Sequence, residues 1–257
     1  MTTSPKDAYY DLCQRLLGPW RTTELTGAQL CEVGETIYGR AEHFSLYGVA
    51  APAMADAGLR VFGRTAVECC TDLMAVAVAH AVADLHAPPD MAGDSFVAEL
   101  FCGSGNLGVH LGWTLGRPVY AAELDPLVYQ ATRHNLGSVG AATRLQQIDY
   151  RELLPGLPAR GPGDTYIVEP PWGCAISPAG LDLLGTSPPV PEILDDILRA
   201  RDGRSCLVGI KTIDRILHDS LNVAFADARH LRTITSERPF PDGSRMQFHF
   251  YRIGSGT

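Results

Sequence analysis

The sequence predicts an α/β fold: a doubly wound, mostly parallel sheet of seven strands that ends in an antiparallel hairpin, preceded by a helical N-terminal extension. Three observations carry this. From Ser95 onward, short apolar runs alternate with stretches of helical period, as in a parallel sheet covered by helices on both faces. The first run, "FVAELF", breaks at once into "CGSGNLG", a strand, glycine turn and helix in little space. The last two runs are joined by "PFPDGS", a Pro-Asp-Gly turn signal with no helix between them.

The elements follow in order. Tyr9, Leu12 and Leu16 recur at helical spacing and predict a helix from Pro5 to Leu17. Thr26 opens "TGAQLCEVGETIYGR" as the cap of a second helix. "FSLYGVAAPAMADAGLRVFGRT" holds no sustained period and predicts a loop with short ordered pieces, whereas "AVECCTDLMAVAVAHAVADL" predicts one long helix leading to the core. "HAPPDMAGD" then marks a boundary between an extension, residues 1–90, and a main domain, residues 91–257. Within that domain the predicted strands are "FVAELF", "PVYAAEL", "TRLQQID", "TYIVEP", "SCLVGIK", "HLRTITSER" and "RMQFHFYRI", with helices over 106–116, 126–137, 190–201 and 212–221.

Composition narrows the function. The chain has 257 residues, 46% hydrophobic and 19% charged, which is enough apolar material for a sizeable soluble core. A formal charge of −8 argues against broad binding to phosphate backbones, which needs a basic face. "MTTSPKDAYY" lacks the basic-then-apolar layout of a signal peptide, and the apolar run Leu73–Leu85 is too short to span a bilayer. The seven cysteines are scattered without a CxxC pair, so a cytoplasmic protein with reduced thiols is expected, off the membrane. The histidines show no metal-ligand spacing, and no metal is expected.

The glycine turn is the point of departure for chemistry. In a doubly wound sheet such a turn lets a ligand approach the backbone beyond the carboxyl end of the first strand. The second strand ends in Glu123, twenty residues after Gly103, the distance at which an acid accepts both hydroxyls of a ribose. Glu99, inside the first strand, weighs against a dinucleotide, because an acid at the turn repels a pyrophosphate. S-adenosylmethionine has no phosphate and carries an ammonium and a sulfonium, which an acid helps.

At these residues the sequence resembles the class I S-adenosylmethionine-dependent methyltransferases, a Rossmann-like family, over roughly 96–253. The resemblance implies that "ELFCGSGNLG" is the first motif, with Gly103 and Gly105 bordering the methionine part and Glu99 orienting its ammonium. Phe101 and Asn106 belong to the same cofactor site. "AAELDP" then puts Glu123 on the ribose and Leu124 against the adenine, and "QQIDYREL" makes Asp149 the acceptor for the adenine amine with Tyr150 its neighbour. "IVEPPWG" matches the fourth motif and looks most like the trimethylguanosine synthase group. Members that methylate exocyclic amines carry Asp, Asn or Ser, then Pro-Pro and an aromatic residue.

The chemistry behind that pattern is positional. An acceptor side chain and a main-chain carbonyl bind the two N–H groups of a conjugated amine, and an aromatic residue stacks on the ring. Here those roles fall to Glu169, the Pro170 carbonyl and Trp172. Glu169 is one methylene longer than Asp, and three roles stay open for it: accepting an amine N–H, acting as base, or pairing with a cation. The expected function is therefore transfer of a methyl group to nitrogen of a small heteroaromatic or amino compound. The alternatives are an RNA guanine N2 or adenine N6 methyltransferase, which the acidic charge opposes, and a same-fold enzyme with other cofactor chemistry or a binder. Tyr38, Tyr47 and Arg64 fall in the extension as candidates for a lid or acceptor wall, Cys69-Cys70 is expected to pack within a helix, and His110 and His134 are expected at surfaces or boundaries.

Overall fold

The computed structural model describes residues 4–87 and 93–255; the boundary expected at residue 90 lies outside the described residues. Seven strands form the sheet: β1 (Val97–Glu99), β2 (Val119–Ala122), β3 (Arg144–Gln146), β4 (Thr165–Val168), β5 (Cys206–Ile213), β6 (Arg229–Thr235) and β7 (Met246–Ile253). Their order is β6-β7-β5-β4-β1-β2-β3, with β1 to β5 parallel. The hairpin predicted at the carboxyl terminus forms, but its second strand inserts. β7 lies between β5 and β6 and runs antiparallel to both. Strand order reverses between β1 and β4, so the crevice outside their carboxyl ends is the switch point where this architecture binds ligands.

Eight helices of six or more residues surround the sheet among the described residues: α1 (Pro5–Leu17), α2 (Gly27–Tyr38), α3 (Gly63–Glu68), α4 (Asp72–His86), α5 (Asn106–Leu115), α6 (Pro126–Ser138), α7 (Val190–Ala200) and α8 (His218–Ala224). Thr26 caps α2 with a reciprocal capping box to Gln29. Two expectations are corrected. The predicted long helix breaks into α3 and α4, because Cys69 and Thr71 are extended and the Cys70 carbonyl is turned out to accept from Asn106 Nδ2 at 2.8 Å. The predicted helix over 212–221 is a strand through Ile213 and then α8, since Thr212 and Ile213 still pair with β7.

Alternation along the strands sends side chains to two cores. On one face Ala98, Tyr166, Val168, Val208 and Ile210 pack with Ile193 and Ile197 of α7 and Leu221 of α8. On the other, Val97, Val119, Ile167, Phe248 and Phe250 pack with Val78 and Val82 of α4 and Leu107 and Leu111 of α5. A helix from the N-terminal third thus covers one face of the sheet. A third core joins α1, α2 and the segment Phe44–Val61 to Val109 of α5 and Leu136 of α6. Phe240, in the β6–β7 loop, stacks on Tyr9 and meets Tyr38 edge-on, so this unit reaches across the carboxyl ends of the strands. Among the described residues, no helix is long and apolar enough to cross a membrane.

Candidate active site at the carboxyl ends of the strands

The glycine turn after β1 is held from every side. The Gly103 N–H donates to Glu123 Oε2 at 2.9 Å, and the Thr132 hydroxyl donates to the Gly103 carbonyl at 2.6 Å. The Cys102 N–H donates to the Ala122 carbonyl and the Gly105 N–H to the Cys102 carbonyl. From the N-terminal unit comes a two-residue hairpin tip, Tyr47 at φ 58 and Gly48 at φ 78, flanked by the paired residues Leu46 and Val49. The Tyr47 hydroxyl donates to the Ser104 carbonyl, and its N–H donates to Asn106 Oδ1 at 2.6 Å. A turn fixed this way presents its outer backbone to a ligand without reorganising.

Both positive-φ glycines are required by the backbone, at φ 52 for Gly103 and φ 69 for Gly105. They differ in what a side chain would meet. A Cβ on Gly103 meets nothing within 4 Å, whereas one on Gly105 would lie 3.1 Å from Thr132 Cγ2, beneath the turn. The space a side chain on Gly105 would fill is therefore packing against α6, and the open side belongs to Gly103.

Glu123 sits at the end of β2 with both oxygens anchored, Oε1 accepting from the Asp125 N–H at 2.8 Å and Oε2 from Gly103. Burial pushes its carboxyl above the usual value, against the pull of those two N–H groups and of Arg64. Arg64 reaches Asp125 Oδ2 at 2.8 Å, which brings that residue of the N-terminal unit to the rim of this end. Next to Glu123, Leu124 leaves 63% of its surface exposed and belongs to none of the three cores.

Other sequence-predicted residues turn inward. Asn106 is wholly buried, with its side chain spent on Tyr47 and Cys70, so it braces the turn rather than facing the crevice. Tyr150 is buried and its hydroxyl donates to Asp196 of α7 at 2.7 Å; its ring supports half-buried Phe101 at a centroid distance of 4.9 Å. Asp149 caps the turn Tyr150–Leu153, accepting from the Arg151 N–H at 2.9 Å. His110, expected near a surface, is buried with Nε2 2.7 Å from Asp72 Oδ1, while exposed His134 lies 2.9 Å from the Gly58 carbonyl.

Three charged side chains meet on one face of three adjacent strands. Val97 and Ile167 share the α4 face, so Glu99 and Glu169, two residues on, project there too. Gly209, which abuts Ile167, puts Lys211 beside them. Lys211 Nζ lies 2.9 Å from Glu169 Oε2 and donates to the Glu68 carbonyl at 2.6 Å. Burial alone lowers the ammonium; the Glu169 carboxylate reverses this and leaves Lys211 above the usual lysine value. Glu99 is 2% exposed with Oε2 unpartnered, and burial, then the Glu169 charge, pushes it well above the carboxylate range. Lys211 was not among the residues the sequence singled out, though a lysine ending the apolar run Cys206–Ile210 of a central strand is itself the signal.

Glu99 explains one further glycine. A Cβ on Gly108 of α5 would stand 2.3 Å from Glu99 Oε2. Gly108→Ala gains about 0.8–1.0 kcal/mol of helix propensity, but overpacking against a buried carboxyl costs about 1–3 kcal/mol. The clash wins, and urea denaturation is expected to show a net loss of stability; a stabilised variant would mean that Glu99 moves freely.

The loop after β4 separates its two candidate groups. Lys211 draws Glu169 to the α4 face, Pro170 is buried, and Trp172 packs partly buried against the core on the other face. Beyond it, a single 3-10 turn (Gly173–Ala175) and a small hairpin (176–177 with 180–181) lead to α7. Ile176 and Leu184 stay exposed there.

No protein-family model and no curated protein matches this chain. Solved structures do. The tRNA (uracil-54, C5)-methyltransferase of Pyrococcus abyssi, in complex with S-adenosyl-L-homocysteine, is 16% identical at a TM-score of 0.49, over 75% of this chain and 41% of that one. Precorrin-6y C5,15-methyltransferase of Geobacter metallireducens is 15% identical at a TM-score of 0.47, over 73% of this chain and 90% of that one.

Proposed function

We propose that this chain is an S-adenosylmethionine-dependent methyltransferase acting on nitrogen of a small heteroaromatic or amino compound. The observation that carries the reading is the braced glycine turn at the switch point, tied to Glu123, with exposed Leu124 beside it and Glu169 at the end of the neighbouring strand. The residues fit the cofactor's chemistry: open space over Gly103, a carboxylate for ribose hydroxyls, a bare apolar side chain for a purine, and no side-chain cation hydrogen-bonded to the turn among the described residues.

Glu123 would hold the ribose through the lone pairs its two backbone donors leave free, Leu124 and Phe101 would border the adenine, and Asp149 would accept from its amine. S-adenosylmethionine, when bound, supplies a methyl group made electrophilic by its sulfonium. Glu169 and the Pro170 carbonyl accept N–H bonds from the acceptor nitrogen, and Trp172, packed against the core on the other face, fixes the loop that carries them. Their work is orientation, which in an in-line transfer supplies most of the rate. The Phe240 side of the N-terminal unit and the exposed residues Ile176 and Leu184 of the loop after β4 form the acceptor wall in this reading.

The test is calorimetry with S-adenosylmethionine and S-adenosylhomocysteine, followed by product analysis on small amines, heteroaromatics and RNA. Methylated small acceptor with S-adenosylhomocysteine supports the proposal. Methylated RNA moves the acceptor to nucleic acid, methylthioadenosine indicates other cofactor chemistry, and no binding overturns the reading. Glu123→Ala is expected to weaken S-adenosylmethionine by about 1.5–3 kcal/mol, the scale of charge-assisted hydrogen bonds. Unchanged affinity in a folded variant removes Glu123 from the site.

A further inference from the structure

We propose that Lys211 is a positioning residue which holds Glu169 as a paired carboxylate, so that the acceptor nitrogen taken at this site is uncharged. The inference rests on the methyltransferase reading and deepens it to a substrate class.

The geometry leaves Lys211 little freedom. It stands on β5, opposite Phe248 of β7, with its side chain 6% exposed. Two of its three N–H donors are committed, one to Glu169 Oε2 at 2.9 Å and one to the Glu68 carbonyl at 2.6 Å. The second bond reaches the carboxyl-terminal end of α3, where helix carbonyls lack partners and carry partial negative charge. An ammonium clamped between a helix end and a carboxylate fixes where that carboxylate points. It also uses the extra methylene of Glu169, whose reach to Lys211 leaves its other oxygen for the acceptor.

The charges close as well. Within this cluster the Glu169 carboxylate and the Lys211 ammonium pair at 2.9 Å, while burial, then the Glu169 charge, pushes Glu99 well above the carboxylate range. Burial likewise raises Cys69 and Cys70 above ordinary thiols. A cationic acceptor would therefore meet a carboxylate already neutralised, with an ammonium fixed behind it. A neutral amine needs only the free acceptor oxygen. Of the roles open to Glu169 from the sequence, pairing with a cation is filled by the chain itself.

Sinefungin tests this without knowledge of the acceptor, because it carries an amine where S-adenosylmethionine carries the transferred methyl. The measurement is the ratio of its calorimetric Kd to that of S-adenosylhomocysteine. In Lys211→Met the carboxylate is left unpaired and should draw the amine, shifting the ratio at least tenfold toward sinefungin. Lys211→Arg should keep the wild-type ratio, and Lys211→Met with Glu169→Gln should restore it. Lys211→Gln, which is also uncharged, reads the same shift where Lys211→Met does not fold. A ratio unchanged in Lys211→Met, or unchanged between the double variant and a shifted single one, overturns the inference. Failure of the wild type to bind either compound overturns the methyltransferase reading beneath it.

Discussion

Glu169→Ala is expected to lower kcat/KM on the methyl acceptor by about 10²–10⁴-fold, or about 2.7–5.5 kcal/mol of transition-state stabilisation. Affinity for S-adenosylmethionine should change little, since Glu123 and the glycine turn lie on β1 and β2. The fall has two sources. The acceptor loses the oxygen that orients its nitrogen, and Lys211 becomes a buried ammonium without its counter-charge. Glu169→Gln separates them in part: it keeps an acceptor oxygen but cannot balance Lys211. Because that ion pair is present, Gln is expected to fall with Ala rather than stay near wild type. A melting curve for each variant distinguishes lost chemistry from lost fold. Trp172→Ala, by contrast, should raise the acceptor's KM and leave cofactor affinity alone. Near-normal turnover in both alanine variants would refute the site.

The second large effect is on folding. A chain beginning at residue 93 should give no cooperative unfolding transition, although it contains all seven strands. The reason is α4. Its buried Met74, Ala75, Val78, Ala79 and Val82 cover the sheet face formed by Val97, Ile167, Phe248 and Phe250. Each fully buried apolar side chain of this kind contributes about 1.5–3 kcal/mol, so baring these four, together about 6–12 kcal/mol, is comparable to the 5–15 kcal/mol by which domains are stable. A chain beginning at Cys70 keeps α4 and the carbonyl that holds Asn106. It should melt cooperatively at a lower temperature, having lost the core around Val109 and Leu136 together with the bonds that Tyr47, Arg64 and Glu68 make to the main domain. Calorimetric melting of the two chains decides this. A cooperative transition from the shorter one would show that α4 is dispensable.

The parallel sheet, its antiparallel close, the glycine turn and Glu123 were legible in the sequence. Each depends on local rules: apolar runs of strand length, turn residues at fixed offsets, and an acid at the end of the next strand. The predicted helices at 106, 126 and 190 came from the same periodicity and stand at Asn106–Leu115, Pro126–Ser138 and Val190–Ala200. Errors arose where tertiary contacts outvote local pattern. Met246 and Gln247 hold Ile213 and Thr212 in strand pairing beyond the point where their own spacing reads as helix. Asn106 opens a helix in any reading, but only the arrival of Tyr47, fifty-nine positions earlier, turns its side chain inward.

By itself, then, the sequence determined the architecture and the place of the glycine turn, because strand and turn propensities act over a few residues. Only the tertiary structure decided that α4 belongs to the sheet, that Tyr47 braces the turn, and that Glu169 is met by Lys211 forty-two residues later. These pairings depend on strand order and on which face a side chain takes. A parallel sheet sets both through crossovers that no short window of sequence contains.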